Sequence, residues 1–396
     1  MNLRHELLAM VAAYSLMVST GWAGTRRHDV PDSAFLNLAT SDSAFDTVGK
    51  FTWNESGGSF LASGVLVDSN WVLTAAHVID GTDLVGGDIT NLRYQIAGNT
   101  LDAVQWIPHA NWAANNGNLF AGWDIGLVLL DHRVTNVAPV TLFTDQGSPT
   151  SPPELGQTAT LVGFGTTGTG LTGFISGTGG TKRAGQNVVD VVGGLQTAGS
   201  NPNFRFGQDR MIALDFDEPG NPSASTLGSS APISLEYLTA PGDSGGGLFL
   251  SEGGVQKLAG ITSIGSTVDG LIDSDYEDRG SYTRVSQFLD WIDQTIAANS
   301  PLLAASDFDG DGDVDGNDLG LWKNGFGLTG GATKIDGDAD GDNDVDGADF
   351  LLWQRQFGSN PLLLPPSAAV PEPATIILAL SAFAGLYPFS LQAFAF

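Results

Sequence analysis

The chain contains no cysteine. Disulfides, zinc–thiolate sites and thiol nucleophiles are therefore excluded. The absence is informative because the N-terminus reads as an export signal. Arg4 precedes an apolar run from Leu7 to Val18, and Gly21-Trp22-Ala23 offers small residues for cleavage after Ala23, so that residues 1–23 would be removed. The other reading of that stretch is a buried N-terminal helix. Positive charge is scarce too. Sixteen Lys and Arg face 44 Asp and Glu, a formal net charge of −28. That argues against nucleic acid, whose phosphates need basic partners. The acid is concentrated: thirteen Asp fall between Asp307 and Asp349, against three basic residues in 307–358. Carboxylates at that density repel, and a divalent cation is the obvious neutraliser.

What is present is enough for two or three domains: 396 residues, 42% of them apolar. Residues 30–285 read as mainly β, with short alternating runs bounded by Gly, Asn, Asp and Ser. Phe288, Leu289, Ile292 and Ile296 share one face at helical spacing. A linker follows over 299–306. Within the β region, Gly163 to Gly194 is rich in Gly and Thr and reads as a long solvated loop. Residues 307–327 and 338–358 form an internal repeat, identical at 13 of 21 positions. A linker over 359–369 precedes Ile376–Phe396, 21 residues without a charge, long enough to span a bilayer.

Three segments carry chemistry: Thr74-Ala75-Ala76-His77, Asp124-Ile125-Gly126-Leu127, and Gly242-Asp243-Ser244-Gly245-Gly246. Acyl transfer from a peptide needs a nucleophile, a base to take its proton, and a carboxylate to hold the base in one tautomer. It also needs hydrogen-bond donors where the oxyanion develops. In these motifs, their order and their spacings of 47 and 120 residues, the chain resembles the trypsin/chymotrypsin family of serine peptidases. His109-Ala110-Asn111-Trp112 and Gly280-Ser281-Tyr282-Thr283-Arg284-Val285 are similar to further family segments. The resemblance covers residues 30–298.

It implies two six-stranded β-barrels with the site between them. His77 would be the base, Asp124 its orienting carboxylate, Ser244 the nucleophile, and the amides of Gly242 and Ser244 the oxyanion hole. His132 has no motif context and reads as a surface or loop residue. The positions of a common family disulfide fall at Ala62 and Val78, so both ends are lost together. Leu238, six residues before Ser244, would floor the specificity pocket, with Ser263, Ile264, Gly265 and Gly280 as walls. An apolar floor favours an apolar substrate side chain, unless the acidic loop Asp269–Asp278 turns a carboxylate inward. Many members are activated by a cleavage that frees an Ile-Val amine to pair with the Asp before the catalytic Ser. No such start occurs near Thr25–Val30. Either another cation serves Asp243, or the site is ordered without that switch.

Each acidic repeat supplies oxygens at calcium-loop spacing. The first offers Asp307, Asp309, Asp311, the carbonyl of Asp313, Asp315 and Asp318; the second offers Asp338, Asp340, Asp342, the carbonyl of Asp344, Asp346 and Asp349. Gly312 and Asn343 take the sharp-turn position. Asp rather than Glu at the last position, with one helix after each loop, resembles the type I dockerin. That implies a small α-helical domain over 307–358, about two bound Ca2+ and a cohesin-type protein partner. The other reading is an acidic disordered linker. Val370-Pro371-Glu372-Pro373 before the apolar run resembles a PEP-CTERM sorting segment over 370–396, with a transmembrane-like helix and membrane contact before any processing. A simple membrane anchor is the alternative.

The sequence thus points to an exported serine endopeptidase of the cell envelope or extracellular space, with no cofactor for catalysis itself. An inactive protease-fold binding module, or a calcium-storing envelope protein, are the competing classes.

Overall fold

The computed structural model describes residues 24–55, 58–80, 89–148, 151–193, 195–196, 209–228, 230–271, 273–299 and 305–358. They belong to one compact unit, Met1–Leu362. The expected export signal, the 359–369 linker and the sorting segment lie outside the described residues. No helix among the described residues is long and apolar enough to cross a membrane.

The strands, in chain order, are β1 (Gly24–Arg26), β2 (Val48–Glu55), β3 (Gly58–Asp68), β4 (Trp71–Thr74), β5 (Thr90–Ile96), β6 (Asn99–Pro108), β7 (Gly126–Leu130), β8 (Thr158–Gly163), β9 (Thr167–Thr169), β10 (Gly173–Ile175), β11 (Arg183–Val188), β12 (Val191–Val192), β13 (Leu195–Gln196), β14 (Met211–Asp215), β15 (Tyr237–Leu238), β16 (Gly247–Glu252), β17 (Val255–Ser266) and β18 (Arg279–Arg284). The helices are α1 (Asp32–Leu38), α2 (Ala76–Ile79), α3 (Ala110–Ala114), α4 (Leu289–Asn299), α5 (Gly316–Gly325) and α6 (Gly347–Gln356).

The first half closes as a six-stranded barrel in the order β2-β3-β4-β7-β6-β5. Closure removes the unpaired edges that an open sheet would expose. The uninterrupted apolar runs of β4 and β7 are buried at every position, and they lie side by side. Phe51, Val65, Leu73, Tyr94 and Leu127 fill the interior. Ala62 and Val78 are buried in the same apolar core, so packing occupies the two positions of the lost disulfide.

The second half departs from the expected six-stranded barrel. It is an eight-stranded sheet, β11-β8-β16-β17-β18-β14-β12-β13, joined by a four-stranded sheet, β10-β9-β1-β15. The Gly-rich stretch read as a solvated loop supplies four of these strands. Its glycines allow close backbone approach rather than flexibility. A Cβ on Gly168 would lie 1.8 Å from the Gly173 carbonyl oxygen, and one on Gly185 would lie 2.1 Å from Tyr237 Cβ. Arg183, in the middle of that stretch, is wholly buried and forks onto Asp32 of α1 at 2.7 and 2.6 Å. Neither β1 nor α1 was expected from the sequence. The helical face near the end of the β region is α4, which seats Ile292 in the first-half core beside Phe288.

In the acidic repeats, Asp315 and Asp346 cap α5 and α6. Asp318 and Asp349 reach back to complete capping boxes. The two repeats clasp each other symmetrically: Trp322 Nε1 donates to the Asp346 carbonyl at 2.9 Å, and Trp353 Nε1 to the Asp315 carbonyl at 3.0 Å. Phe308 and Val314 bury beneath Trp353.

Four carboxylates of the second half are buried together: Asp190, Asp215, Asp217 and Glu236. Asp215 is held by the amides of Thr226 and Leu227. Burial first, then mutual repulsion, pushes Asp190 up to about 8, Asp217 to about 7 and Glu236 to about 9. The folded state therefore holds protons that the unfolded chain releases above the ordinary carboxylate range. Stability contributed by these groups is fully present below the ordinary carboxylate range, falls as pH rises above it, and is gone once pH passes the raised values of about 7 to 9. We expect the melting temperature to be higher near pH 6 than at pH 9. Asp190→Asn should flatten that decline, as calorimetry across the range would read.

Candidate active site

Thr74 ends β4, and the chain turns directly into α2, which carries His77. Asp124 lies just ahead of β7, the neighbour of β4, and has no exposed surface. Its Oδ1 accepts the His77 amide at 2.9 Å, and its Oδ2 sits 2.7 Å from His77 Nδ1. A carboxylate only accepts, so Nδ1 carries the proton and Nε2 of the neutral ring is the basic atom. The Ser263 hydroxyl also donates to Oδ2, at 2.6 Å, and Thr283 Oγ1 donates to the Asp124 carbonyl at 2.8 Å. Barrel and eight-stranded sheet thus meet on one residue.

Ser244 sits on the turn between β15 and β16. Gly245 has φ +79°, and a Cβ there would lie 2.0 Å from Thr74 Oγ1, so the turn presses against the end of β4. Ser63 of β3 fastens it. Its amide donates to the Ser244 carbonyl at 2.8 Å, and its hydroxyl donates to the Gly242 carbonyl at 3.0 Å. Within the turn, the amides of Asp243, Gly245 and Gly246 are spent on the carbonyls of Ala240, Thr262 and Asp243. The amides of Gly242 and Ser244 have no acceptor among the described residues. These are the two amides the sequence marked as oxyanion donors.

Asp243 is buried, with Oδ1 accepting from the Gly165 amide at 2.7 Å and Oδ2 from the Ala240 amide at 2.9 Å. Burial pushes it up to about 7, while those amides and the Arg183 charge pull the other way.

Of the expected pocket residues, Leu238 is buried in β15, and its Cδ1 lies 3.1 Å from where a Gly280 Cβ would sit. Gly265 faces open space, with nothing nearer to its Cβ direction than Arg279 O at 3.8 Å. Ile264 is mostly covered. The Ser263 hydroxyl turns to Asp124, so any part it takes in the expected wall is through its backbone. Two carboxylates of the acidic loop are spent on amides of the loop itself. Asp278 accepts from the amides of Val268 and Ser274, and Asp269 from that of Leu271.

Ser63 was missed by sequence reading, since a Ser in an alternating strand carries no signal. So was the aromatic support behind Asp124. His109 stacks on Trp123 at 4.8 Å and lies 5.0 Å from Trp291, and Arg210 lies over Trp123 at 3.8 Å. Burial, then the Arg210 charge, holds His109 below its ordinary value. His132 is about half exposed and pairs with Asp131, in keeping with a surface residue.

In the acidic repeats, carboxylate oxygens of Asp307, Asp309 and Asp311 lie within 4.8 Å of one another. So do those of Asp313, Asp315 and Asp318, of Asp338, Asp340 and Asp342, and of Asp344, Asp346 and Asp349. Asp313 and Asp344 were expected to offer carbonyls, yet here their side chains join the clusters. Both carboxylate oxygens of Asp307 are buried without a partner. Gly312 and Asn343 both take positive φ, +100° and +70°, at the sharp turns. An all-oxygen donor set with unpartnered buried carboxylate oxygens fits a hard divalent cation.

The protein-family model described as Trypsin matches residues 39–189 and 228–292, more than half of the chain. The chain belongs to the trypsin family. Its trypsin-family region is 27% identical over 247 residues to snake venom serine protease Haly-2 of Gloydius brevicauda, covering 60% of this chain and 78% of that one. It is 28% identical over 251 residues to snake venom serine proteinase 12 of Crotalus adamanteus, covering 61% and 80%. It is 29% identical over 250 residues to chymotrypsin-like elastase family member 1 of Macaca fascicularis, covering 62% and 82%. This trypsin-family protein is a serine endopeptidase, a hydrolase acting on protein or peptide substrates.

Proposed function

We propose that this endopeptidase cleaves peptide bonds with Ser244 as nucleophile, His77 as general base and Asp124 as the carboxylate that orients the imidazole. Ser244 Oγ adds to the substrate carbonyl carbon as its proton passes to His77 Nε2. The oxyanion takes the amides of Gly242 and Ser244. His77 then protonates the departing amine, and water repeats the sequence on the acyl-enzyme. The observation that carries this reading is the pair of buried Asp124 and partly exposed His77 beside a turn whose Gly242 and Ser244 amides are unspent. Ser244→Ala should lose nearly all hydrolysis, and labelling by a fluorophosphonate, at an unchanged melting temperature. Near-normal turnover would refute the assignment.

Leu238 as an apolar floor packed against Gly280, with Gly265 facing open space, supports cleavage after a sizeable apolar residue such as Leu, Met or Phe. The preference should be modest, because a methylene in an apolar pocket is worth about 1–3 kcal/mol. Digestion of a peptide library reads it directly. Cleavage mainly after Lys and Arg would assign the pocket to the acidic loop instead.

Residues 307–358 act, in this reading, as a dockerin-like domain that holds about two Ca2+ on the Asp clusters at 307–318 and 338–349 and docks a cohesin-type partner. The cation supplies the charge that lets each crowded loop close. The export signal at 1–23 and the PEP-CTERM-like segment at 370–396 would carry the enzyme to the envelope or beyond, with membrane contact through the tail. Titration calorimetry on the full chain should give about two calcium ions. Chelation should unfold 307–358 and leave peptide hydrolysis intact. Zero stoichiometry, or circular dichroism unmoved by chelator, would reject the calcium reading.

A further inference from the structure

We propose that β1 is a positioning strap for the catalytic turn, which sets the oxyanion amides without a freed N-terminal amine. The inference rests on reading Gly242 and Ser244 as the oxyanion donors.

β1 lies between two segments that flank Asp243. On one side it runs parallel to β9, pairing Gly24 with Thr167 and Arg26 with Thr169. On the other it runs antiparallel to β15, pairing Thr25 with Leu238 and Arg26 with Tyr237. β9 follows Gly165 by two residues, and β15 precedes Ala240 by two. Gly165 and Ala240 are the residues whose amides hold the two carboxylate oxygens of Asp243. Asp243 separates the two oxyanion residues in sequence, so its position decides where their amides point. The Thr166 amide also donates to the Pro241 carbonyl at 2.7 Å, tying the same two segments beside the turn. Without β1, each would lose a strand partner.

The strap is built in rather than lightly laid on. Thr25 is fully buried, and its hydroxyl donates to the Leu238 carbonyl at 3.3 Å. The Thr167 hydroxyl donates to the Gly24 carbonyl at 2.8 Å. Beyond β1, Arg27 reaches the Ile233 carbonyl, His28 Nδ1 lies 2.8 Å from the Tyr276 hydroxyl, and Asp32 takes the fork of Arg183. Position 24 admits only glycine: φ is +57°, and a Cβ would lie 1.8 Å from the Tyr237 hydroxyl oxygen. Tyr237 is wholly buried, so it cannot give way outward. The hydrogen bonds found on the Asp243 carboxylate come from neutral backbone amides. In this proposal those amides take the place of a charged amine in ordering the turn.

The test compares four full chains: one starting at Gly24, one retaining residues before Gly24, one lacking residues 24–28, and Gly24→Val. Peptide hydrolysis, fluorophosphonate labelling and melting are measured for each. The N-extended chain should match the chain starting at Gly24. The deletion should lower kcat about 100-fold, the scale of one lost oxyanion donor, with a smaller change in KM. A synthetic peptide of residues 24–30 should restore labelling, which a general loss of stability would not allow. Gly24→Val should shift kcat the same way, and it decides the matter if the deletion does not fold. Unchanged kcat in a folded deletion, or in Gly24→Val, overturns the strap. An N-extended chain silent until cut before Gly24 overturns it in favour of the freed amine. Ser244→Ala in the same assay separates the two readings: activity there would remove the reading of the turn itself, not the strap.

Discussion

A carboxylate with no exposed surface must have its oxygens satisfied by the protein, and Asp124 is satisfied from both halves of the molecule. The first barrel contributes the His77 amide and imidazole; the second half contributes Ser263 and, on the backbone, Thr283. Separating the halves would take from Asp124 its Ser263 hydroxyl and from its backbone the Thr283 hydroxyl, leaving it His77 alone. The same Oδ2 that takes Ser263 from the second half also fixes the tautomer of His77. Ser63 does for the turn what Ser263 does for Asp124. It lends the hydroxyl of one half to the backbone of the other.

Buried charge is handled in three different ways elsewhere. Glu154 and Arg183 are wholly covered and are matched by forked ion pairs, with Arg284 at 2.6 and 2.9 Å and with Asp32. That geometry makes two charge-assisted bonds at once. Asp243 relies on backbone amides. Asp190, Asp217 and Glu236 are eased toward the neutral form by burial and by one another. A chain without disulfides thus braces its second half with paired and shared charges, and part of that bracing depends on pH.

The acidic repeats apply the same rule at the surface. Each Asp at the last loop position is turned onto backbone amides: Asp318 takes those of Phe308, Asp309 and Asp315, and Asp349 those of Ala339, Asp340 and Asp346. These bonds shape the loops, while the remaining carboxylates crowd together. Arg133, from the turn after β7, lies against Gly310 of the first loop, so the repeat is seated on the barrel that carries His77.

The motifs around His77, Asp124 and Ser244 were legible because acyl transfer demands those residue types, and glycine around the nucleophile, in any fold that performs it. The repeat was legible for a related reason: its oxygen donors are local in sequence, and the helix after each loop came with the dockerin resemblance. Runs of strand-forming residues made the first half legible as β, while its closure into six strands was implied by the family resemblance of the motifs. Tertiary structure decided the rest. Gly163–Gly194 looked solvated because glycine carries no pattern, yet those glycines let strands pack where any Cβ would collide. Ser63, Arg183 and Gly24 gave no signal, since each acts on a backbone or a charge more than a hundred residues away. The N-terminal strand has three residues, too few for a period to show. Its place between β9 and β15 exists only once the second half has closed around it.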